Sequence, residues 1–150
     1  MKKLLYISAL IFCSNTYAEC HLNTTEDYEL RAIVKKEGWD FKNFNELCTK
    51  LNNANVSVAI NQVSQFSDTQ VSVSTEVRLY PIELSKKYKY KFLTQYSYMA
   101  LNNSKIRTSK SEEKLMYEGA NFALNGLIAN TGLLDNLLKD IARIRELVKP

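Results

Sequence analysis

Residues 70–79 read Gln-Val-Ser-Val-Ser-Thr-Glu-Val-Arg-Leu. Apolar and polar side chains alternate with a period of two. Val71, Val73, Val77 and Leu79 therefore share one side with Thr75, and Gln70, Ser72, Ser74, Glu76 and Arg78 share the other. This is the signature of a half-buried β-strand. Pro81 ends it, because proline cannot donate to a central ladder. Upstream, Val56, Val58 and Ile60 alternate with Ser57, Ala59 and Asn61, predicting a first strand, and the polar stretch Ser64 to Asp68 predicts a hairpin connection. Downstream, a third strand is expected over about Lys86 to Leu101. It would carry Tyr88, Tyr90, Phe92, Tyr96 and Tyr98 on one parity, with Lys87, Lys89, Lys91, Leu93 and Met99 on the other. Lys105 to Ser109 is expected to add a short edge strand.

Outside this block the period changes to that of a helix. Leu22 to Lys36 predicts a first helix, capped by Asn23 with Glu26 three positions on, buried through Leu30, Ile33 and Val34, and ended by Gly38. A second helix follows with Asp40 as its cap and Phe41, Phe44, Leu47, Cys48 and Leu51 on one stripe. After the strands, Ser109 and Glu112 form another capping-box signature. Leu115, Met116, Gly119, Ala120, Phe122, Ala123 and Leu127 mark the buried side of that third helix, where Gly119 and Ala123 would allow another element close approach. Gly132 breaks it. A fourth helix then runs from about Leu133 to Val148, with Leu134, Leu137, Leu138, Ile141, Ile144 and Val148 as its apolar face. The order predicts an α+β fold: two N-terminal helices, a three- to four-stranded antiparallel meander and two C-terminal helices in a single domain.

The first eighteen residues read as a secretory signal peptide. Lys2 and Lys3 precede an apolar run from Leu4 to Cys13, and Thr16-Tyr17-Ala18 places small residues where a signal peptidase needs them. The apolar run is too short to span a bilayer, and no later segment is long enough. The expected mature chain is therefore residues 19–150, a single exported domain that is periplasmic or secreted; the lysine- and asparagine-rich composition points to a bacterial source. Without Lys2 and Lys3 the 20 basic residues fall to 18 against 16 acidic ones, a net charge of +2. That surplus is too small to argue for nucleic acid or anionic lipid as a partner.

Of the three cysteines, Cys13 leaves with the leader. Cys20 and Cys48 remain in an oxidising compartment, where a structural disulfide is the natural reading. A redox role would usually bring cysteines together as Cys-x-x-Cys, which this spacing does not provide. The bond would pin the new N-terminus to the buried face of the second helix.

The chain offers little catalytic machinery. His21 is the single histidine, and no cluster around it has metal-ligand spacing, so no metal or cofactor is expected. No nucleophile elbow or His-Glu-x-x-His motif occurs. With only 4 glycines, a backbone-lined phosphate site is not expected. Glu76, the one acid placed inside a strand, lies on the solvated parity, where a cross-strand charge pair explains it. The tyrosines carry the most functional potential, because such rings supply rigid contact area at low entropic cost. Tyr88, Tyr90, Tyr96 and Tyr98 are candidate binding residues, with core packing expected at the centre of the row and partial exposure at its ends. Trp39 is a further candidate, although its default role is a hydrophobic staple over the second helix with Phe41, and nothing else in the sequence supports ligand stacking. The expectation is a small, non-enzymatic, protein-binding module, such as an inhibitor, an immunity-type protein or an envelope-assembly accessory. Its partner would be a protein in the envelope or outside the cell, and the chain itself a monomer or weak dimer. The alternatives are a carbohydrate- or peptidoglycan-binding module and a cell-wall hydrolase.

Overall fold

A computed structural model describes residues 20–148. The expected leader and its cleavage site lie outside the described residues. In chain order the elements are β1 (Thr24–Thr25), α1 (Tyr28–Glu37), α2 (Phe44–Asn53), β2 (Val56–Phe66), β3 (Val71–Pro81), α3 (Ile82–Tyr88), β4 (Tyr98–Ser104), α4 (Ser109–Ala129) and α5 (Leu133–Leu147). The strands form one sheet in the order β1-β2-β3-β4. The fold is α+β, with helices at both ends and an antiparallel β2-β3-β4 meander.

The alternation read in residues 70–79 sets the layering. Val71, Val73, Thr75, Val77 and Leu79 are all completely buried. Their neighbours in register, Val58 and Ile60 on β2 and Ala100 on β4, continue the buried face. Leu47 and Leu51 of α2, Ala120, Ala123 and Leu127 of α4, and Leu137 and Ile141 of α5 close over it as one core. Gly119 and Gly126 let α4 sit down on the sheet. A Cβ at Gly119 would meet Thr75 Oγ1 of β3 at 2.7 Å and Asn102 Oδ1 of β4 at 3.6 Å, and one at Gly126 would meet the Tyr98 ring of β4 at 2.5 Å. α4 therefore lies over the seam between β3 and β4.

Besides the third strand, five expectations are corrected; in the first, β2 runs on to Phe66 through the stretch expected as a hairpin connection, and the turn falls at residues 67–70. The sheet is mixed, because β1 pairs parallel to β2 (Thr24 with Val58, Thr25 with Ala59). The stretch expected to open the first helix is thus extended: Leu22 is buried in the core, Asn23 O accepts from Val58 N at 3.0 Å, and Asp27 caps α1 by accepting from Leu30 N at 2.9 Å. Asp40 is not the cap of α2. A turn closes through Phe44 N to Phe41 O, so the helix begins at Phe44 after Asn43, and the Asp40 N–H donates instead to Asn121 Oδ1 at 2.9 Å. The stretch Lys105 to Ser109 forms no strand; Thr108 caps α4 by accepting from Ser111 N at 3.2 Å.

The largest correction is the third strand. Residues 82–88 are a helix and residues 89–97 an irregular segment, and only Tyr98–Ser104 is a strand. Pro81, at φ −73°, precedes the first helical residue; Glu83 lies in the first turn, and Lys86 and Lys87 in the last. Charge placement of this kind suits the helix dipole. Leu79, whose backbone points to where a strand would run, is satisfied by one residue instead. Thr94 N donates to Leu79 O at 2.9 Å, and Leu79 N donates to Thr94 Oγ1 at 3.1 Å.

Candidate interaction surface

Cys20 and Cys48 are disulfide-bonded, with Cα atoms 6.1 Å apart. Cys48 is fully buried, so the bond ties the N-terminal arm to the inner face of α2. Among the described residues, no helix is long and apolar enough to cross a membrane. Both observations are compatible with a secreted protein.

α3 ends at Lys89, a non-glycine residue in the left-handed region (φ 55°). The reversal folds the chain back, and the aromatic rings that alternate in sequence converge. Phe92 packs edge-to-face against Tyr88 at 5.8 Å and against Tyr90 at 5.1 Å between ring centroids. Such T-shaped contacts match the ring quadrupoles. The cluster rests on the end of α5: Tyr88 Oη donates to Val148 O at 3.4 Å, and Tyr90 and Phe92 line a shallow cavity of about 410 Å³ with Ile144 and Leu147.

Around these rings stand Lys86, Lys87, Lys89 and Lys91, all exposed. Lys87 Nζ lies 5.0 Å from the centroid of the Tyr88 ring and Lys91 Nζ lies 5.8 Å from that of Tyr80, both within cation–π range. None of the four lysines takes part in an ion pair among the described residues. Glu26 and Asp27 line one cavity with Lys91, and three other nearby acids are engaged elsewhere. Glu83 holds Arg145 at 2.6 Å, Glu76 holds Arg78 at 2.9 Å, and Asp140 accepts from the backbone of Gln95.

The candidate tyrosines thus separate. Tyr88 and Tyr90 come together with Phe92, and Tyr90 is 64% exposed. Tyr96 is exposed in the irregular segment and stands apart from that cluster. Tyr98 lies on the inner face of β4, half-buried beneath Gly126 and tilted against Phe122 at 6.5 Å. The expected continuous row does not exist, because Tyr88 belongs to a helix and Tyr98 to a strand. Trp39 is partly buried against the core and lines a separate groove of about 720 Å³ with Cys20, His21 and Arg31. At the start of α2, Phe41 and Phe44 pack edge-to-face at 5.6 Å.

Glu76 forms its ion pair within β3. Burial pushes its carboxyl up, but hydrogen bonds from Arg78, Ser97 and Asn61 and the charge of Arg78 outweigh this and hold it below the ordinary range. A general acid needs the opposite shift. Among the described residues, no group of three or more His, Cys, Asp or Glu side chains is placed to hold a metal ion. Sequence reading missed α3 and the left-handed Lys89. The available signal was Pro81 followed by an early Glu83 and late Lys86 and Lys87, a helix-start and helix-end pattern.

No protein family matches this chain, and neither a curated protein nor a solved structure matches it.

Proposed function

We propose that the chain is an exported, non-enzymatic module that binds a protein partner through residues 86–92, the end of α3 and the turn after it, and that the partner presents an acidic surface. The observation that carries this reading is one surface with aromatic rings at its centre and unpaired lysines at its rim. Desolvated aromatic anchors supply most of the binding energy at protein interfaces, while rim charges steer encounter and select the partner. Tyr88, Phe92 and Tyr90 hold one another, so little entropy remains to be lost on docking. The leader-like N-terminus and the disulfide support export.

The test is a pulldown from envelope extract with three proteins: wild type, Tyr90→Ala, and Lys87→Glu/Lys91→Glu, each checked for folding by circular dichroism. The wild type is expected to retain a discrete polypeptide that both variants lose. Release should also follow a rise to about 1 M salt, where the Debye length shrinks to about 3 Å. Retention of the same polypeptide by the charge-reversed variant would refute the assignment of this surface. A wild type that enriches no protein but binds or cleaves purified peptidoglycan would refute the class.

A further inference from the structure

β4 is the last strand of the sheet, and the alternation of its hydrogen bonds shows which groups it leaves free. Leu79 directs its N–H and C=O away from β2, towards Thr94. The odd residues of β3 therefore bond to β4, and their register partners Tyr98, Ala100, Asn102 and Ser104 are the ones paired. Met99, Leu101 and Asn103 turn their backbone groups outward, and no hydrogen bond to them occurs among the described residues. Met99 and Leu101 are also 62% and 70% exposed.

Natural edge strands are usually blunted by lysine, proline, a bulge or a covering element. This one is not. From Phe92 to Ser104 the chain has no charged residue and no proline. We infer that β4 is a self-pairing edge, through which two copies of this chain join antiparallel about a two-fold axis at Leu101, the central residue of the seven-residue strand. Such an axis sets Leu101 beside its own copy and Met99 beside Asn103 of the other chain, and matches each outward N–H to an outward C=O. No charge meets a like charge across the join.

The spacing of the helices selects a second copy over an isolated strand as the occupant. α4 lies over the β3–β4 seam, about half a strand spacing inside the edge. Continuing the sheet at about 4.8 Å per strand places the copy's α4 two spacings away, about 10 Å from the first. Packed helices lie 8–10 Å apart. The flank of α4 that would meet its copy carries Phe122, which leans over Tyr98 of β4 and is 59% exposed despite its apolar ring. Gly119 stands above Asn102 and Gly126 above Tyr98, so Phe122, between them, sits close to the axis and would meet Phe122 of the other copy. Glu118 on the same flank pairs with Lys114 at 3.6 Å. The join thus completes two layers at once, sheet to sheet and helix to helix.

The experiment is sedimentation equilibrium on the mature protein from about 1 to 500 µM, together with a cross-linking assay. Wild type is expected to reach twice the chain mass. Leu101→Lys, which sets two ammonium groups side by side, should raise the dimer dissociation constant at least about tenfold. Val63→Lys, on the open sheet face but two strands away from β4, should leave it unchanged. Both native cysteines are bonded, so Phe122→Cys offers one free thiol and a short bis-maleimide should join it to its copy. A wild type that keeps the mass of one chain throughout overturns the inference. So does a dimer that survives Leu101→Lys and gives no Phe122→Cys cross-link, because its interface would lie elsewhere. Binding through residues 86–92 plays no part in these readouts.

Discussion

Gly119→Ala places a methyl group where the sheet already stands. The added carbon would lie 2.7 Å from Thr75 Oγ1, a side chain with no exposure and therefore no free direction to move. Thr75 Oγ1 also accepts from Gln62 Nε2 at 2.8 Å, and that nitrogen donates to Met116 O at 2.7 Å, so a shift of Thr75 loosens a link between β2, β3 and α4. Overpacking of this kind costs roughly 1–3 kcal/mol, and weakening the hydrogen bond adds up to about 1. Replacing glycine by alanine inside a helix returns about 1 kcal/mol. The net expectation is a loss of between about 0 and 3 kcal/mol, each kcal/mol corresponding to about 3–5 °C in Tm at this chain length. Urea titrations of wild type, Gly119→Ala, Thr75→Ala and the double variant, all with the disulfide intact, form a cycle. Removing Oγ1 makes room for the methyl group, so the double variant should be more stable than additivity allows by at least about 1 kcal/mol. If Gly119→Ala stabilises by the full propensity gain, or the cycle closes additively, the close approach of α4 to β3 is not what holds glycine at this position.

Two further outcomes follow from the tethers of the fold. Cys20→Ser/Cys48→Ser opens a link across 28 positions, for which the chain-entropy relation gives a loss of roughly 3–4 kcal/mol, and any binding activity should persist at low temperature; thermal melts and thiol titration check both. Glu83 is pushed up by burial, but hydrogen bonds from Arg145 and its own N–H, with the charge of Arg145, hold its carboxyl below the ordinary 4.5. A folded-state value below the unfolded one contributes stability above about pH 4.5 that is lost as pH falls through the folded value. Glu83→Gln should therefore lower the urea midpoint at pH 7 and flatten its decline below pH 4.5, whereas parallel declines in variant and parent would refute the coupling.

What could be read from the sequence, and what could not, divides along physical lines. The alternation in residues 70–79 was decisive because the covering helices bury all five inward residues and leave the other parity partly open. Gly38 and Gly132 were legible as breaks because both take positive φ, 76° and 78°. β1 was hidden because it is two residues long and its stability comes from elsewhere, from the Cys20–Cys48 tie and the burial of Leu22, which draw the arm along β2. The segment Ile82–Tyr88 was misread because α3 has no fully buried residue. Its helical period is written in no apolar stripe, whereas lysines and tyrosines happen to alternate by two just beyond it. The left-handed Lys89 then turns that alternation into a cluster, a step no periodicity encodes.

Phe122 is the other failure, and it is instructive for a different reason. On a helical wheel it lies about 60° from Gly119, inside the sector that a helix on a sheet normally buries. It stays exposed because α4 rests over the last seam of the sheet, so no strand lies beneath that flank, where Phe122 lines a shallow cavity with Asp40, Phe41 and Lys42. The wheel assumes that the sheet continues beneath the helix, and here it stops. Among the described residues, the same stop leaves Met99, Leu101 and Asn103 with no backbone partner. Residues 92–104 without charge and an aromatic ring at position 122 lack the usual protection of an exposed edge, and the second copy inferred above would cover both.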